Sequence, residues 1–416
     1  MELKKYKLGE LLDVKRGASL AGEYYATTGN YIRLTCGNFD YQNNSFKLNT
    51  SKDNLFYTGP VRKEFIMKKG DIVTPLTEQA IGLLGSTAII PEDDKYIQSQ
   101  DVAKIICNED LLYPMFAYYL ISSETVKKQL SAAAQQTKIR HTSPDKIKDC
   151  VVWIPDLNEQ KHIASILSNL DKKIALNRAI NQNLEALAKQ LYDYWFVQFD
   201  FPNEEGKPYK SSGGAMTWNE ELKREIPDGW KNGIFSDIAN ITMGQSPDGS
   251  SYNESGEGTI FYQGSTDFGM RFPSVRMFTT SPSRLAKQGD ILMSVRAPVG
   301  AVNIANTDCC IGRGLSAINS KIGSITYIYY VIHYLKVRFD SLNTAGTTFG
   351  SITKDELFNL PVVIPSTDVI ERFDAICKPI FDKQMEIGFE IESLTKQRDE
   401  LLPLLMNGQV SLLNCD

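Results

Sequence analysis

The sequence contains the same series of segments twice. L-G-E-L-L-D-V-K-R-G at 8–17 returns as F-S-D-I-A-N-I-T-M-G at 235–244, and K-G-D-I-V at 69–73 returns as Q-G-D-I-L at 288–292. Two further segments follow in the same order, and the separations fall from 227 to 210 residues. Solenoid units repeat every 20–50 residues or so, so a repeat this long indicates a duplicated domain. Two similar folds in one chain predict two similar binding tasks.

Length and composition fit a globular protein with two domains. The chain has 416 residues, of which 42% are hydrophobic, and this leaves room for two domains of about 150 residues plus connecting elements. No apolar run approaches the ~20 residues of a membrane span, and the N-terminus leads into no signal-peptide core. The seven cysteines include no C-x-x-C pair. We therefore expect reduced thiols in a cytoplasmic protein, without disulfides or a zinc site.

The net charge of −5 is unevenly distributed along the chain. Residues 1–150 carry a balance of +2 and residues 206–365 a balance of +1, while 151–205 and 366–416 carry −3 and −5. The acidity therefore lies in the connecting stretches, and the two repeats are close to neutral. Because phosphate contacts supply most non-specific affinity for DNA, such domains bind DNA poorly on electrostatics alone, and a basic partner would help them to bind it.

The stretch after Pro155 changes to helical periodicity. Asp156 and Glu159 resemble a capping box that starts a helix, and about 40 residues would extend on the order of 60 Å. Asn177 and Asn181 fall in the apolar seam of this helix, where a buried Asn can fix the pairing register of two helices. The apolar residues of the seam recur every three or four positions: Ile163, Leu167, Leu170, Ile174, Leu184, Leu191 and Trp195.

A second stretch of the same kind follows the second repeat. Pro379 lies near its start and should kink or delay the helix. One helix after each repeat, at nearly equal length, favours an antiparallel coiled-coil pair; the alternative is two independent amphipathic helices, each lying on its own domain. The apolar residues of this stretch are Ile376, Ile380, Ile387, Ile391, Leu394, Leu401 and Leu405.

The sequence therefore predicts a mixed α/β protein with two similar globular domains and two long antiparallel helices. The predicted segments are domain 1 at 1–155, a helix at 156–200, a linker at 201–232, domain 2 at 233–365 and a second helix at 366–416.

Sequence signatures of catalysis are missing. There is no G-x-x-x-x-G-K-[ST] phosphate loop, no Rossmann glycine fingerprint and no N-P-P-[YF] tetrapeptide of the kind that amino-methyltransferases use. His141, His162 and His333 are the only histidines, which leaves little for a catalytic triad or a metal centre. We expect a chain that performs no catalysis and binds no cofactor or metal.

Several segments carry a resemblance to a known family. W-F-V-Q-F-D-F-P at 195–202, with its continuation through W-N-E-E-L-K-R-E-I-P-D-G-W at 218–230, closely resembles the central region of specificity subunits of type I restriction–modification systems. V-V-W-I-P-D-L-N-E-Q-K-H-I at 151–163 resembles that family's helix junction, and R-D-E-L-L-P-L-L-M-N-G-Q-V at 398–410 its C-terminus. The second junction, P-S-T-D-V-I-E-R-F at 365–373, departs from the pattern because it lacks the E-Q-K of the first.

The resemblance implies a DNA-binding protein with two target-recognition domains, each of which reads one half of a bipartite, asymmetric site on double-stranded DNA. The helix pair would fix the gap between the half-sites. Two modification subunits, which bind S-adenosylmethionine and methylate adenine, would dock on the helices and domains, and restriction subunits would join them. Two other functions stay open: a stand-alone or orphan DNA-binding regulator, and a nuclease or methyltransferase in its own right.

Base readout would fall to polar side chains on loops that recur in both repeats, because Arg, Asn and Gln can bind base edges with two hydrogen bonds. Lys138 and Arg140 would take phosphates, and Arg296 is the first choice among the readers of repeat 2. The candidates in repeat 1 are Arg16, Ser19, Arg33, Thr35, Asn38, Thr74, Thr77, Gln79, Lys138 and Arg140. Those in repeat 2 are Gln245, Ser246, Gln263, Ser265, Asp267, Ser294, Arg296, Arg313, Thr347 and Thr348.

Each candidate loop also has a purely structural interpretation. Gly17 and its match Gly244 would allow close approach to a phosphate, or would form the C-cap turn of a helix. A surface ion pair is the alternative for Arg296, and packing beside the sheet is the alternative for Arg313.

Two further patterns bear on readout. Differing polar residues at matching loop positions are what two domains with different targets need, and also what any exposed loop shows; the loose match pairs Arg33, Thr35 and Asn38 with Gln263, Ser265 and Asp267. The tyrosine pairs at 118–119 and 329–330 are flanked by apolar residues, which predicts buried helices, not base stacking.

Overall fold

The computed structural model describes residues 2–78, 82–133, 140–344 and 350–410. The chain divides into two compact units: unit 1 comprises Met1–Ile174 and Ser393–Asp416, and unit 2 comprises Ala175–Glu392. The division falls inside both long helices, so each unit contains a part of each of them. Within the described ranges no helix is long and apolar enough to cross a membrane.

Unit 1 contains the first repeat. Its strands are β1 (Lys4–Lys7), β2 (Leu12–Arg16), β3 (Tyr25–Ala26), β4 (Tyr31–Arg33), β5 (Phe39–Asp40), β6 (Ser45–Phe46), β7 (Phe56–Tyr57), β8 (Ile72–Pro75), β9 (Thr77–Glu78), β10 (Ala88–Ile89), β11 (Tyr96–Ile97), β12 (Val102–Cys107), β13 (Arg140–His141) and β14 (Val151–Ile154). Its helices are α1 (Leu8–Leu11), α2 (Pro114–Ile121), α3 (Glu124–Ala133) and α4 (Pro144–Lys148), followed by the long helix α5 (Leu157–Tyr192), which continues into unit 2.

Unit 2 contains the second repeat. Its strands are β15 (Met216–Asn219), β16 (Arg224–Pro227), β17 (Lys231–Ile234), β18 (Ala239–Met243), β19 (Tyr252–Asn253), β20 (Thr259–Tyr262), β21 (Phe278–Thr279), β22 (Leu285–Ala286), β23 (Ile291–Ser294), β24 (Val302–Ile304), β25 (Cys309–Ile311), β26 (Leu315–Ser320) and β27 (Pro361–Ile364). Its helices are α6 (Phe235–Ile238), α7 (Ile325–Thr344) and α8 (Lys354–Phe358), followed by the long helix α9 (Thr367–Met406), which continues into unit 1.

The two units share most of their sheet topology, but β22 adds a fifth strand to the second sheet of unit 2, and unit 1 also has the pairs β5-β6 and β13-β9. The main sheet has the order β10-β8-β12-β2 in unit 1 and β24-β23-β26-β18 in unit 2. A second sheet, β11-β4-β7-β3, corresponds to β22-β25-β20-β21-β19, and the pair β1-β14 corresponds to β17-β27. Strands β4 and β11 pair in parallel, as do β20 and β25, while the main sheets are antiparallel. The duplication seen in the sequence is therefore a duplication of the fold.

The central strand of each main sheet forms because a short apolar run follows a glycine turn. Every residue of β8 and of β23 is buried. Gly70 and Gly289, just before these strands, have φ angles of +90° and +89°, a region that favours glycine. Both turns are held by the same bond to the neighbouring strand, from Gly70 N to Ile90 O and from Gly289 N to Ala305 O at 2.9 Å each.

Helices α2 and α7 carry the tyrosine pairs and pack inside their units. Tyr118 and Tyr119 are buried in unit 1, and Tyr329 and Tyr330 are buried in unit 2. Both pairs belong to the large hydrophobic core of their unit. The prediction that these tyrosines lie in buried helices is confirmed.

In unit 1 the start of α5 packs against the end of α9. Asp156 caps α5 by accepting the backbone N–H groups of Asn158 at 2.9 Å and Glu159 at 3.0 Å. Ile163 and Leu167 lie in the same core as Leu405 and Met406. Further along, Arg398 binds Asp171 at 3.1 Å. Residue numbers increase along α5 while those of the contacting residues of α9 decrease, so the two helices are antiparallel.

The helix segments in unit 2 pair through buried amides. Asn177 donates to Glu390 Oε2 at 2.8 Å, and Asn181 and Gln384 exchange side-chain-to-carbonyl bonds at 3.4 Å. Gln384 also donates to Glu185 at 2.9 Å. The pairing is again antiparallel, and Asn177 and Asn181 lie in the seam as predicted. Two independent helices without a partner are excluded by these contacts.

For the second helix, a start delayed by Pro379 and a place in the seam for Ile376 are both wrong. Helix α9 begins at Thr367 and runs through Pro379 without delay. Pro379 is exposed, so the backbone carbonyl one turn earlier, which loses its partner, can bind water. Ile376 was placed in the seam but is 47% exposed, because Phe373 and Cys377, at 0% and 1%, set the buried face.

The segment after α5 is more ordered than a linker. Helix α5 ends at Tyr192 and continues as one π-helical turn over Asp193–Val197. Within the stretch 201–232, strands β15 and β16 form an antiparallel hairpin. Phe201 stacks on Trp230 with ring centroids 5.0 Å apart, which ties this segment into the core of unit 2.

Candidate nucleic-acid interface

Five segments of unit 2 meet at one edge, which we call edge 2: 244–246, 262–267, 294–297, 311–314 and 350–352. The bonds that connect them are Gln245 N to Ile311 O at 3.0 Å, Gly312 N to Tyr262 O at 2.8 Å, Val295 N to Gly314 O at 3.0 Å and Ile352 N to Val295 O at 2.9 Å. The loops that the sequence singled out in repeat 2 are thus brought together, apart from the residues that the structure does not describe.

Unit 1 has an equivalent edge 1, formed by 17–19, 34–38, 75–78, 98–101 and 141–142. The connecting bonds are Ala18 N to Gln98 O at 3.2 Å, Leu76 N to Asp101 O at 2.8 Å and Thr142 N to Leu76 O at 2.9 Å. In addition, Ser99 Oγ donates to Leu34 O at 2.5 Å.

The equivalent bonds define which residues of the two edges correspond. Leu76 N binds Asp101 O as Val295 N binds Gly314 O, and therefore the next residues, Thr77 and Arg296, match. The same reasoning from the other bonds gives five matched pairs: Ala18 with Gln245, Thr35 with Gln263, Thr77 with Arg296, Gln100 with Arg313, and His141 with Ser351.

The two glycines at the start of these edges serve close backbone packing. A Cβ on Gly17 would lie 2.3 Å from Ser99 O, and one on Gly244 would lie 2.2 Å from Gly312 O. Both glycines follow strands, β2 and β18, so the helix C-cap alternative is wrong. Only glycine allows the first segment of each edge to approach the fourth this closely.

Four candidates of unit 2 present exposed side chains at edge 2: Gln245, Gln263, Arg296 and Arg313. Their side chains make no hydrogen bond or ion pair with any residue in the described ranges. The ion pair considered for Arg296 is thus not found there, and Arg313 is exposed although the turn glycines on either side of it are buried. These four groups can bind an external partner without breaking internal contacts.

The other candidates of unit 2 hold the loop backbones in place. Ser294 is 1% exposed and donates to Arg296 O at 2.6 Å. Ser246 Oγ accepts the backbone N–H of Arg313 at 3.4 Å. Ser265 begins a short 3-10 turn that ends at Asp267.

Asp267 is 4% exposed and organises its loop through hydrogen bonds to Gln263 and Arg276. Its Oδ2 accepts the backbone N–H of Gln263 at 3.0 Å, and its Oδ1 accepts Arg276 Nε at 2.8 Å. Asp267 therefore positions Gln263 and leaves that side chain exposed.

In unit 1, Arg16 and Ser19 are exposed, as expected of DNA-contacting side chains. Arg16 Nε donates to Gln100 O at 2.8 Å, which orients the guanidinium beside edge 1. Thr35 is half-buried, and its hydroxyl accepts from Gly37 N at 3.2 Å and Asn49 Nδ2 at 2.9 Å. The Thr35 hydroxyl therefore already accepts hydrogen bonds inside the loop.

Arg33 is a buried stacking residue of the second sheet. It is 7% exposed, its guanidinium lies 3.4 Å from the centre of the Tyr25 ring, and it donates to Asn54 O at 2.7 Å. Strand pairing matches Arg33 with Phe261, not with Gln263, and Phe261 packs on Tyr252 with centroids 4.9 Å apart. The loose match drawn from the sequence is therefore wrong for Arg33, and also for Thr35, whose equivalent is Gln263. The match of Asn38 with Asp267 is confirmed, because each accepts the backbone N–H at the start of its loop, and repeat 2 has one more residue between these positions.

Three further candidates of unit 1 are buried and internally bonded. Asn38 is 1% exposed and accepts Thr35 N at 3.0 Å. Thr74 is fully buried and donates to Ser86 O at 2.8 Å. The Thr77 hydroxyl lies 2.9 Å from Cys36 Sγ. Burial raises the pKa of the Cys36 thiol, so it stays protonated at neutral pH.

Four candidates lie outside the described residues: Gln79, Lys138, Thr347 and Thr348. Arg140 lies in β13, where its backbone pairs with Glu78. Within the described ranges, no three His, Cys, Asp or Glu side chains are grouped so that they could hold a metal ion.

Sequence reasoning missed Gln100. It is exposed and matches Arg313, because S-Q-D at 99–101 occupies the place of G-R-G at 312–314. The two triplets lie a constant 213 residues apart, but their sequences do not resemble each other. Only the backbone bonds make the match visible.

Comparisons with known proteins agree with this arrangement. Residues 1–186 and 227–387 match the family model of the type I restriction modification DNA specificity domain. The putative type I restriction enzyme MjaX specificity subunit of Methanocaldococcus jannaschii is 33% identical, with 86% of this chain and 83% of that protein covered. The HindI specificity subunit of Haemophilus influenzae is 25% identical, with 98% and 99% covered.

The fold has a solved counterpart. The crystal structure of the type I restriction–modification system S subunit from M. genitalium covers 99% of this chain and 97% of its own, with 17% identity and a TM-score of 0.59. The matched sequence segments include both repeats and most of the two long helices. The chain belongs to the type I restriction–modification DNA specificity domain family.

Proposed function

We propose that this chain is the DNA specificity subunit of a type I restriction–modification complex, and that each unit reads one half of a bipartite, asymmetric site. The observation that carries the proposal is the matched pair of edges, which share their backbone bonds but differ in exposed side chains. Two identical subunits related by symmetry would read a palindrome. Two different edges in one chain read two different half-sites.

The two long helices are proposed to fix the gap between half-sites and to dock two modification subunits. The buried Asn177, Asn181 and Gln384 support this role, because buried amides specify one helix register and prevent sliding. A fixed register between α5 and α9 gives the helix pair a fixed length. Half-sites read on one face of B-DNA lie about 34 Å apart per helical turn.

Methylation and cleavage are assigned to partner subunits. S-adenosylmethionine would be bound by the modification subunits, which would methylate adenine, and restriction subunits would join that core. The weak charge of the two repeats supports a division of labour on DNA: exposed residues such as Arg296 and Arg313 contact the site, and the partners supply most of the phosphate contacts.

The direct test is to express the chain with its modification subunit in a host without DNA methylation and to map N6-methyladenine by long-read sequencing. The expected result is one bipartite motif with a fixed gap, which disappears when this chain is omitted. Methylation of the same motif without this chain would contradict the proposal. An unmethylated genome with an assembled, cofactor-bound complex would favour a stand-alone DNA-binding protein instead.

Helix length gives an independent test of the gap. Both helices are lengthened by one turn at facing positions, after Ile174 and before Ser393. The gap in the methylated motif should change while both half-sites stay the same. A change in the half-site sequences would contradict the separation of roles between edges and helices.

A further inference from the structure

We propose that the matched turns 99–101 and 312–314 are the base-reading turns of the two units, with Gln100 reading an adenine in one half-site and Arg313 a guanine in the other. The inference rests on the proposed function and names side chains for it. Its basis is the way in which the turns are held and the chemistry of the two side chains.

The turn 312–314 lies at the centre of edge 2. Gly312 N donates to Tyr262 O at 2.8 Å, Arg313 N to Ser246 Oγ at 3.4 Å, and Gly314 O accepts Val295 N at 3.0 Å. Each residue of the turn is thus tied to a different segment, which fixes its backbone.

The two glycines leave Arg313 as the one side chain of that turn. A Cβ on Gly314 would lie 2.6 Å from Gln263 O, so a larger residue does not fit there. Arg313 itself is exposed, and its guanidinium has no partner in the described part of the chain. A rigid backbone that carries one unoccupied guanidinium suits a bidentate contact, because little ordering remains to be done on binding.

The turn 99–101 is held by equivalent contacts, although Asp101 gives it a further polar side chain where unit 2 has Gly314. Ser99 is buried and donates to Leu34 O at 2.5 Å, and Asp101 O accepts Leu76 N at 2.8 Å. Arg16 Nε holds Gln100 O at 2.8 Å from the side. The Gln100 side chain is exposed and, like that of Arg313, has no partner among described residues.

The pair Gln100 and Arg313 differs from the other matched pairs. It is the only one of the five in which both side chains carry a planar amide or guanidinium group. Thr77 and Thr35 use their hydroxyls inside unit 1, and Ala18 has no polar group.

The chemistry of the pair predicts which bases are read. A glutamine amide matches the N7 acceptor and N6 donor of adenine, and a guanidinium matches the O6 and N7 acceptors of guanine, both in the major groove. The two half-sites should therefore differ by an adenine against a guanine at the positions under these turns.

The test uses the complete complex with its modification subunits in the methylation-free host. Arg313→Gln should change one guanine of one half-site to adenine, and Gln100→Arg should change one adenine of the other half-site to guanine. In binding assays with duplexes of both kinds, each variant should shift base preference on the order of 10- to 100-fold. The opposite half-site should be unaffected in each case.

The matched control is Lys231→Gln, which removes one exposed cation from unit 2. Lys231 lies in β17, on the side of α6 and β27, whereas edge 2 lies beyond the other end of β18. This variant should methylate the wild-type motif.

Each other outcome has a defined meaning. A wild-type complex that methylates no motif overturns the proposed function and this inference together. A wild-type motif that stays unchanged in both variants overturns the inference alone. If Arg313→Gln abolishes methylation, binding of Arg313→Ala to duplexes that differ at single base pairs decides. Equal weakening on every duplex assigns the guanidinium to a phosphate and overturns base reading, while relaxed preference at one base pair of one half-site supports it.

Discussion

The two units are alike in their backbone scaffold and unlike in the side chains of their edges. The strand order of the main sheets and most of the bonds between the five edge segments agree in both units. Yet the two residues of a matched pair, such as Thr77 and Arg296, differ in side-chain size, charge and hydrogen-bonding capacity. The backbone bonds and the buried glycines fix the scaffold, so exchange of an exposed side chain leaves it intact. Such a molecule can change what it reads without changing how it folds.

The largest expected effect concerns the cores. Ile163 and Phe373 lie in the first turns of α5 and α9, both at 0% exposure, and each packs in the core of its own unit. Phe373→Ala should lower the free energy of unfolding by about 3–5 kcal/mol and Ile163→Ala by about 2–5 kcal/mol. Hydrogen exchange should show lost protection in unit 2 for the first variant and in unit 1 for the second. Equal loss in both units would show that they unfold as one.

Buried arginines provide the next contrast. Arg398 in unit 1 binds Asp171 at 3.1 Å, and Tyr119 donates to the same carboxylate at 2.6 Å. Arg271 in unit 2 donates through one terminal nitrogen to Glu185 at 3.3 Å and to the Tyr329 hydroxyl at 3.2 Å. Its Nε and its other terminal nitrogen are buried without a hydrogen-bond partner among the described residues.

Arg398→Met should therefore cost about 2–3 kcal/mol, less than a fully buried pair because Asp171 keeps some water, whereas Arg271→Met should cost about 1 kcal/mol or less. Denaturant unfolding measures both. A larger loss for Arg271→Met would mean that its contacts with the Tyr329 hydroxyl and the Phe381 ring matter more than the missing bonds.

The variants Arg296→Ala in edge 2 and Thr77→Ala in edge 1 compare the two edges. Loss of an exposed guanidinium should weaken binding to one half-site by roughly 1–3 kcal/mol if it binds a base with two hydrogen bonds. Loss of the Thr77 hydroxyl, which is already bonded to Cys36, should leave recognition unchanged. Affinity is measured on duplexes in which either half-site is scrambled. If Arg296→Ala weakened binding to both half-sites equally, Arg296 would not be a base-reading residue.

The smallest difference between the units concerns their thiols. Burial raises the pKa of Cys107 to about 12 and of Cys150 to about 11 in unit 1, and of Cys309 and Cys377 to about 12 in unit 2. The unfolded thiols lose their protons near their ordinary pKa of about 9, so stability is intact below that pH and falls as pH rises towards 11–12. Both units should lose stability in parallel in an alkaline titration followed by circular dichroism. Rapid alkylation of Cys150, Cys309 or Cys377 in the native chain at pH 7, located by peptide mapping, would contradict this burial.

The repeated fold and the helix pair were predictable from the sequence because they rest on periodicity. Spacings of three and four residues place Ile163 and Asn177 on one face, and repeated G-D-I runs mark the central strands. Ile376 was misplaced because apolar residues occur on two faces of α9. The larger Phe373 and Phe381 decide which face is buried.

The candidate site was predictable only as a set of loops. Sequence located the segments that form both edges, but residue type could not tell Asn38, which holds a turn, from Gln263, which is exposed. Arg33 is of a residue type that commonly reads bases, but its contacts are those of a core residue. These distinctions depend on hydrogen bonds between loops far apart in the chain, which no local pattern records.

The division of the chain has a consequence for its synthesis. Unit 2 is one continuous stretch, Ala175–Glu392, whereas unit 1 needs Leu405 and Met406 to complete its core. During translation the first repeat emerges first, yet its core stays open on the helix side until all of unit 2 has been made. The order of completion is therefore the reverse of the order of synthesis. A chain that ends at Glu392 would contain every residue of unit 2 and would lack Leu405 and Met406 of the unit 1 core.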